Sequence, residues 1–374
     1  MPSRRPFPVG LLRTIYLLGV LLASCAPAAA LPTPTTTASP SPLPSSTQTP
    51  TATPTPRTPP VLAAPYQKDT LTPYGTPHTY IQDSCQYLLD KWSSANSVPG
   101  TVVMVIMFHS ITDRPITDPN QLTTYKFRLL MSALYDQNFQ AITTAQLADF
   151  MESNARIPER SVLLVVDDRK NPQYFKILFQ EYWDKYQWPV VNGWISAFGQ
   201  NDPYLAGNIA LANTGQVDYQ AHGANSPHIA IDENTPHAFI IKDLQGSMDF
   251  IRDYFGKTPI AYIWPGGGFT TYAVQYARKV GYRLGFTINP RGPLMFNWVP
   301  LGDAVDPQRP TWLADGPVND PLMVLPRYWD TDAIIHIPQV VKVGQEAATY
   351  AVENKALEMD YYDIVCASHY GPTP

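Results

Sequence analysis

Ser161-Val-Leu-Leu-Val-Val166, followed at once by Asp167 and Asp168, decides the fold. A run that is apolar on both faces belongs inside a parallel sheet or barrel, because a strand with one wet face alternates instead. Two adjacent carboxylates at its carboxyl end stand where α/β proteins build their sites. Successive strand residues point to opposite faces, so Asp167 and Asp168 address one site only if the strand gives way to a loop between them. The local alternative is that Asp168 caps a helix starting near Asn171 and Asp167 merely ends the strand.

Working outward, Thr101-Val-Val-Met-Val-Ile-Met-Phe108 reads as a second buried strand ending at His109. Helical spacing at Phe127, Leu130 and Leu134 predicts a helix over 123–137, then a strand over 139–142 and a helix capped by Thr143 or Thr144. Downstream the pattern predicts a helix over 171–186, strands over 189–195 and 216–221, and a helix over 237–255. A strand over 260–264, a helix over 270–280, a strand over 283–287 and a helical stretch over 339–357 follow. This alternation argues for an α/β fold with a parallel barrel or sheet.

The amino terminus reads as export machinery. Arg4 and Arg5 precede an apolar stretch from Leu11 to Ala23, short for a membrane span but suited to a signal peptide over residues 1–24. Leu22-Ala23-Ser24-Cys25 resembles the lipobox of bacterial lipoproteins, which implies that Cys25 is lipidated and anchors an extracytoplasmic protein to the membrane. Residues 25–65 are rich in Pro, Thr and Ser and form a tether. At about 3.1 Å per residue, such chain holds a domain up to roughly 100 Å from its anchor. Residues 66–100 are an amino-terminal extension, 101–330 one large domain, and 331–374 a carboxyl-terminal extension.

The net charge of −5 is spread without a Lys/Arg-rich patch, which argues against a nucleic-acid partner. Of the three cysteines, Cys85 and Cys366 remain near the ends of the folded part, either as a disulfide or as two buried thiols. No Gly-x-Ser-x-Gly elbow, His-Glu-x-x-His, Walker loop or Gly-x-Gly-x-x-Gly fingerprint is present.

Of seven histidines, His222, His228 and His237 fall within sixteen residues, and His222 ends the Val217-Asp-Tyr-Gln-Ala221 strand. A carboxylate with two imidazoles suits a first-row metal with positions open to water and substrate. The six-residue interval between His222 and His228 does not fit one helix face, so a loop must fold back. Ordinary polar surface is the alternative reading of these histidines.

These features together resemble the polysaccharide deacetylases with NodB homology, carbohydrate esterases that use a divalent metal. Asp167-Asp168 resembles that family's first motif, with Val165-Val166 in place of Thr-Phe, and Ala221-His222 with His228 resembles the second. Ile263-Trp-Pro-Gly-Gly267 resembles the third, continued by Tyr272 to Tyr282, and Val324-Leu-Pro-Arg327 resembles the segment that closes the domain. Met107-Phe-His109-Ser-Ile111 and the elements after it are similar to the subgroup acting on poly-N-acetylglucosamine.

The resemblance implies a deformed (β/α) barrel and removal of N-acetyl groups from a wall or extracellular polysaccharide. It implies that Asp168, His222 and His228 hold a divalent metal, Zn²⁺ in first place. Asp167 would be the base, His109 the acid that protonates the departing amine, and a backbone N–H would join the metal in stabilising the oxyanion. Pro265 and Gly266 would shape the wall, and Trp264 or Trp298 would stack on a sugar ring.

The chain departs from the pattern in three places. The His222–His228 interval is longer than usual, with His237 in reserve; Trp264 stands where an arginine orienting the base is expected; and no late Leu-His motif is evident, although His336 and His369 lie near the end. A degenerate glycan-binding lipoprotein therefore stays open, as does a metal-free glycoside hydrolase using Asp218 or Asp232.

Overall fold

A strand with two apolar faces needs cover on both, and this chain provides it with a single curled sheet. The computed structural model describes residues 57–66, 68, 71 and 76–372. The expected signal peptide, Cys25 and most of the tether lie outside the described residues.

The elements run β1 (Thr76–His78), α1 (Ser84–Trp92), β2 (Val102–Phe108), β3 (Ser110–Thr112), β4 (Gln121–Thr123), α2 (Thr124–Asp136), β5 (Gln140–Ala141), α3 (Thr144–Ser153) and β6 (Arg160–Val166). Then come α4 (Pro172–Leu178), α5 (Gln180–Tyr186), β7 (Val190–Trp194), α6 (Leu205–Thr214), β8 (Val217–Ala221), α7 (His237–Phe255), β9 (Ala261–Ile263) and α8 (Thr271–Val280). The described chain ends with β10 (Leu284–Phe286), β11 (Val299–Leu301), β12 (Tyr328–Trp329), α9 (Ala333–Tyr361) and a short terminal turn.

The main sheet has eight strands in the order β10-β9-β8-β7-β6-β2-β12, with β5 against the start of β6. Its pairings are parallel. Every residue of β2 is buried, and burying each such side chain stabilises the fold by roughly 1.5–3 kcal/mol. One short segment closes the curl. Leu325 bonds to the β10 edge through Gly285 O and Thr287 N, and three residues later Tyr328 and Trp329 pair with Ile106 and Met107 of β2. Gly285 is required there, since a Cβ would lie 2.1 Å from Met323 O. The result is an α/β fold with the deformed (β/α) barrel architecture expected from the sequence.

Several local expectations are corrected. The helix predicted over 171–186 is two helices meeting at Phe179. The helix predicted from Gln339 begins six residues earlier at Ala333 and carries Pro338 inside it, the lost backbone bond being offset by burial of Ala333 and Ile337. Helix α6, with Gly207, Asn208 and Asn213 weakening its signal, and the short ladders β1–β11 and β3–β4 were not foreseen.

The extensions pack onto the barrel. Helix α9 lies against β2 and α2, and α1 docks beside it. Cys85 and Cys366 form a disulfide, which settles the two readings of these cysteines. Nearby, the buried Lys91 ammonium bonds both Glu358 oxygens at 2.8 Å, and Trp92 Nε1 donates to Glu358 at 2.7 Å. Among the described residues no helix is long and apolar enough to cross a membrane.

Replacing Cys85 and Cys366 together by serine is expected to lower the unfolding free energy by roughly 2–5 kcal/mol, because the bridge closes a very long loop. Denaturant unfolding with and without reductant checks this: reductant should destabilise the wild type to the level of the double variant and leave the variant unchanged.

Candidate active site

The strand does give way at the aspartates. Asp167 N still donates to Phe108 O at 2.9 Å, but Asp168 adopts φ +70°, a left-handed conformation rare outside glycine. That turn brings both carboxylates to one side. Asn192, fully buried on β7, holds it by donating from Nδ2 to Val166 O at 2.8 Å and to Asp168 O at 2.9 Å. The cap of α4 is Asn171, whose side chain accepts from Gln173 N, so the local reading of Asp168 as a cap is wrong.

Asp167 is buried and gripped by Arg327, which donates from Nη1 at 2.6 Å and Nη2 at 3.0 Å, while Arg327 Nε donates to Thr287 O at 2.6 Å. Burial alone would raise the Asp167 pKa, but the Arg327 guanidinium and the His222 and His109 rings outweigh it and hold the carboxyl well below the usual range. The arginine that pairs with Asp167 thus comes from the closing segment, not from the position before Pro265, where Trp264 stands. Nothing in the spacing of Arg327 shows this, and the signal that was available is a charged residue beside an apolar closing run.

His109 follows β2 and sits with Nε2 3.5 Å from Asp167 Oδ2. Its ring stacks on Trp329, with centroids 5.2 Å apart and planes at 16°. Burial lowers its pKa, and the Asp167 carboxylate opposes that shift only in part. Lys170 donates to His109 O at 2.6 Å and reaches to within 3.5 Å of Asp168 Oδ2. A groove of about 860 Å³ opens from His109 and Asp168 along Ser110–Thr112, Arg114, Lys170 and Tyr174.

Across the cleft, His222 donates from Nδ1 to Ile263 O at 2.8 Å, which leaves Nε2 bare and 3.8 Å from Asp168 Oδ1. His228 meets His222 edge to face at 4.7 Å, despite the six-residue interval. Burial and the neighbouring His222 push the His228 imidazole down to about 4, so it is neutral at physiological pH. Its Nδ1 is buried without a partner. One ligand atom each from Asp168, His222 and His228 lie within 4.8 Å of one another, and this donor set fits a divalent ion.

Other expected residues sit elsewhere. Trp264 is fully buried with Nε1 bonded to Met323 O, and Trp298 is fully buried in the turn after Leu294, beside Val103 at the opposite end of β2. Buried so, neither is open to a sugar ring; the aromatics at the cleft are Tyr174, which lines the groove, and Trp329, which stacks on His109. Pro265 and Gly266 form the turn after β9, against Ala230, on the same rim as His222. His237 stacks on Tyr272 at 3.6 Å, outside the donor cluster, and His336 lies on α9 over Tyr328. Asp218 lies near the amino-terminal end of β8, paired with Lys257, and Asp232 accepts from Asn234 N and Thr235 Oγ1, so neither forms a carboxylate pair with Asp167.

A buried carboxylate that sequence reasoning missed is Asp330, directly after Trp329. It is 2% exposed with no side-chain partner, and burial pushes it up to about 7.

Residues 154–285 match the family model described as Polysaccharide deacetylase. No curated protein matches the chain in sequence. Among solved structures the chain is similar to the Streptococcus pyogenes deacetylase PplD, at 16% identity over 64% of this chain and 98% of that one, with a TM-score of 0.49. It is also similar to IcaB from Ammonifex degensii, at 16% identity over 67% of this chain and 100% of that one, TM-score 0.48. A third likeness is to a polysaccharide deacetylase from Bacillus cereus, at 18% identity over 64% and 69%, TM-score 0.49.

Two measurements probe the buried charges. Arg327→Met leaves Asp167 buried and unpaired, and is expected to destabilise the protein by about 3–5 kcal/mol at pH 7 in denaturant titration. Asp330 holds its proton to about pH 7 when folded but releases it near 3.8 when unfolded, so stability is lost as pH rises through that window. Asp330→Asn is therefore expected to match the wild type near pH 4 and to be more stable at pH 8, by roughly 2–4 kcal/mol; equal stability at pH 8 would contradict the buried acid.

Proposed function

We propose that this chain is a metal-dependent deacetylase that hydrolyses N-acetyl groups of a cell-wall or extracellular polysaccharide. One observation carries the reading: a paired carboxylate, a histidine and a three-donor cluster converge on one barrel rim, beside an open groove. The match of residues 154–285 to the polysaccharide deacetylase family supports it.

A divalent ion held by Asp168, His222 and His228, Zn²⁺ in first place, would polarise the acetamide carbonyl and lower the pKa of the attacking water. Asp167, kept ionised by Arg327, accepts the proton that this water sheds. His109, held neutral at rest by burial, needs a proton before it can act as the acid. Asp167 is 3.5 Å away and can pass it on. His109 then protonates the sugar nitrogen as the C–N bond breaks, because an amine leaves poorly as an anion. Acetate and a free amino sugar result, and Asp167 is again a carboxylate.

The site of action belongs to the same proposal. The basic start, the apolar run, the lipobox-like Leu22–Cys25 and the Pro/Thr/Ser-rich stretch support export, lipidation at Cys25 and a tethered position at the membrane surface.

Acetate release from chitooligosaccharides, peptidoglycan and poly-N-acetylglucosamine, with and without a chelator, is the deciding assay. Release that the chelator abolishes and Zn²⁺ restores is expected, whereas release indifferent to chelator would exclude the metal. Asp167→Asn is expected to lower kcat by roughly 10²–10⁴ while metal content stays at wild-type level, and His222→Ala is expected to lose the metal itself.

A further inference from the structure

Asp243 lies on α7, behind the cleft, in a place where a carboxylate is costly. It is 2% exposed, and no lysine or arginine pairs with it among the described residues. Three donors compensate its charge. Oδ1 accepts the N–H groups of Ala224 and Asn225, each at 2.8 Å, and Oδ2 accepts the Tyr262 hydroxyl at 2.5 Å. Those bonds gather three elements at one side chain: α7, the loop that starts at His222 and ends at His228, and β9. The residue after Tyr262 is Ile263, whose carbonyl orients His222. A single carboxylate thus stands behind both imidazoles.

Gly223 makes the fit. Its φ is +95°, and a Cβ there would lie 3.1 Å from Asp243 Oδ2 and 3.1 Å from His228 Nδ1. Only a residue without a side chain lets the loop fold down onto Asp243 and bring His228 back beside His222. Asn225 adds a second tie to α7, donating from Nδ2 to Phe239 O at 2.8 Å.

We propose that Asp243 is the positioning residue of the metal site: by binding the amides of residues 224 and 225 it folds the 222–228 loop so that His228 joins Asp168 and His222. It touches neither substrate nor the donor atoms. The inference rests on the metal reading above and explains how a six-residue interval still delivers two converging imidazoles. Groups that hold metal ligands from behind typically alter metal affinity 10- to 100-fold when removed.

The test uses the full chain, stripped of metal and titrated with Zn²⁺ alone against a chromogenic chelator, with the melting temperature of each metal-free protein measured in parallel. Asp243→Ala is expected to weaken Zn²⁺ binding about 10- to 100-fold. Asp243→Asn retains an oxygen for both amides and is expected to restore affinity close to wild type. Gly223→Ala leaves Asp243 in place but forces it and His228 apart, and is expected to lose about tenfold or more; it decides the matter should Asp243→Ala not fold. Wild-type affinity in a folded Asp243→Ala or Gly223→Ala protein, whatever its melting temperature, overturns the proposal. A wild-type protein that binds no Zn²⁺ overturns the metal reading itself, and is told apart because no variant is needed to see it.

Discussion

The bidentate pair between Arg327 and Asp167 is the interaction on which the barrel and its cleft both depend. Taking two opposite charges out of water costs several kcal/mol per ion, repaid only where geometry is good and the remaining donors are satisfied. Here the fork of the guanidinium meets both carboxylate oxygens, and Nε is taken up by Thr287 O. Because Arg327 lies between Leu325, on the β10 edge, and Tyr328, on the β2 edge, the segment that closes the curl is also the one that ionises Asp167. Closure of the sheet and the charge state of the cleft are therefore one event.

Around that pair, buried polar groups are spent on geometry. Asn192 stabilises the left-handed turn at Asp168, without which two adjacent carboxylates would face opposite sides of the sheet. Asp243 and Ile263 O restrain the histidine side of the cleft from behind. Both Asp243 oxygens are bonded, as a buried carboxylate must be to avoid a net penalty. Among the buried side-chain atoms without a hydrogen-bond partner, His228 Nδ1, His109 Nδ1 and the Asp330 carboxylate oxygens lie in or next to the cleft.

Much of the fold was legible along the chain, because strands buried on both faces are continuous apolar runs and their ends are marked by the first polar residue. This is why Asp167, Asp168, His109 and His222 could be singled out, and the structure brings them to one rim. The tryptophans show where such reading fails. Trp264 and Trp298 stand near motif residues, yet both are fully buried core, Trp264 with its ring nitrogen bonded to Met323 O and Trp298 in the turn after Leu294. Trp329, which does flank His109, is recognisable only once the register of β12 against β2 is known.

By itself the sequence determined the α/β class, the strand ends and the chemical types available there, since hydrophobic period and the placement of polar residues are local properties. Tertiary structure alone decided that Arg327 reaches Asp167, that His228 rather than His237 joins His222, and that Cys85 meets Cys366. Each of those pairings joins residues through the curl of the sheet or the fold of a loop. Side-chain periodicity carries no information about which distant residues will be brought within bonding distance, because that depends on how the whole ring closes.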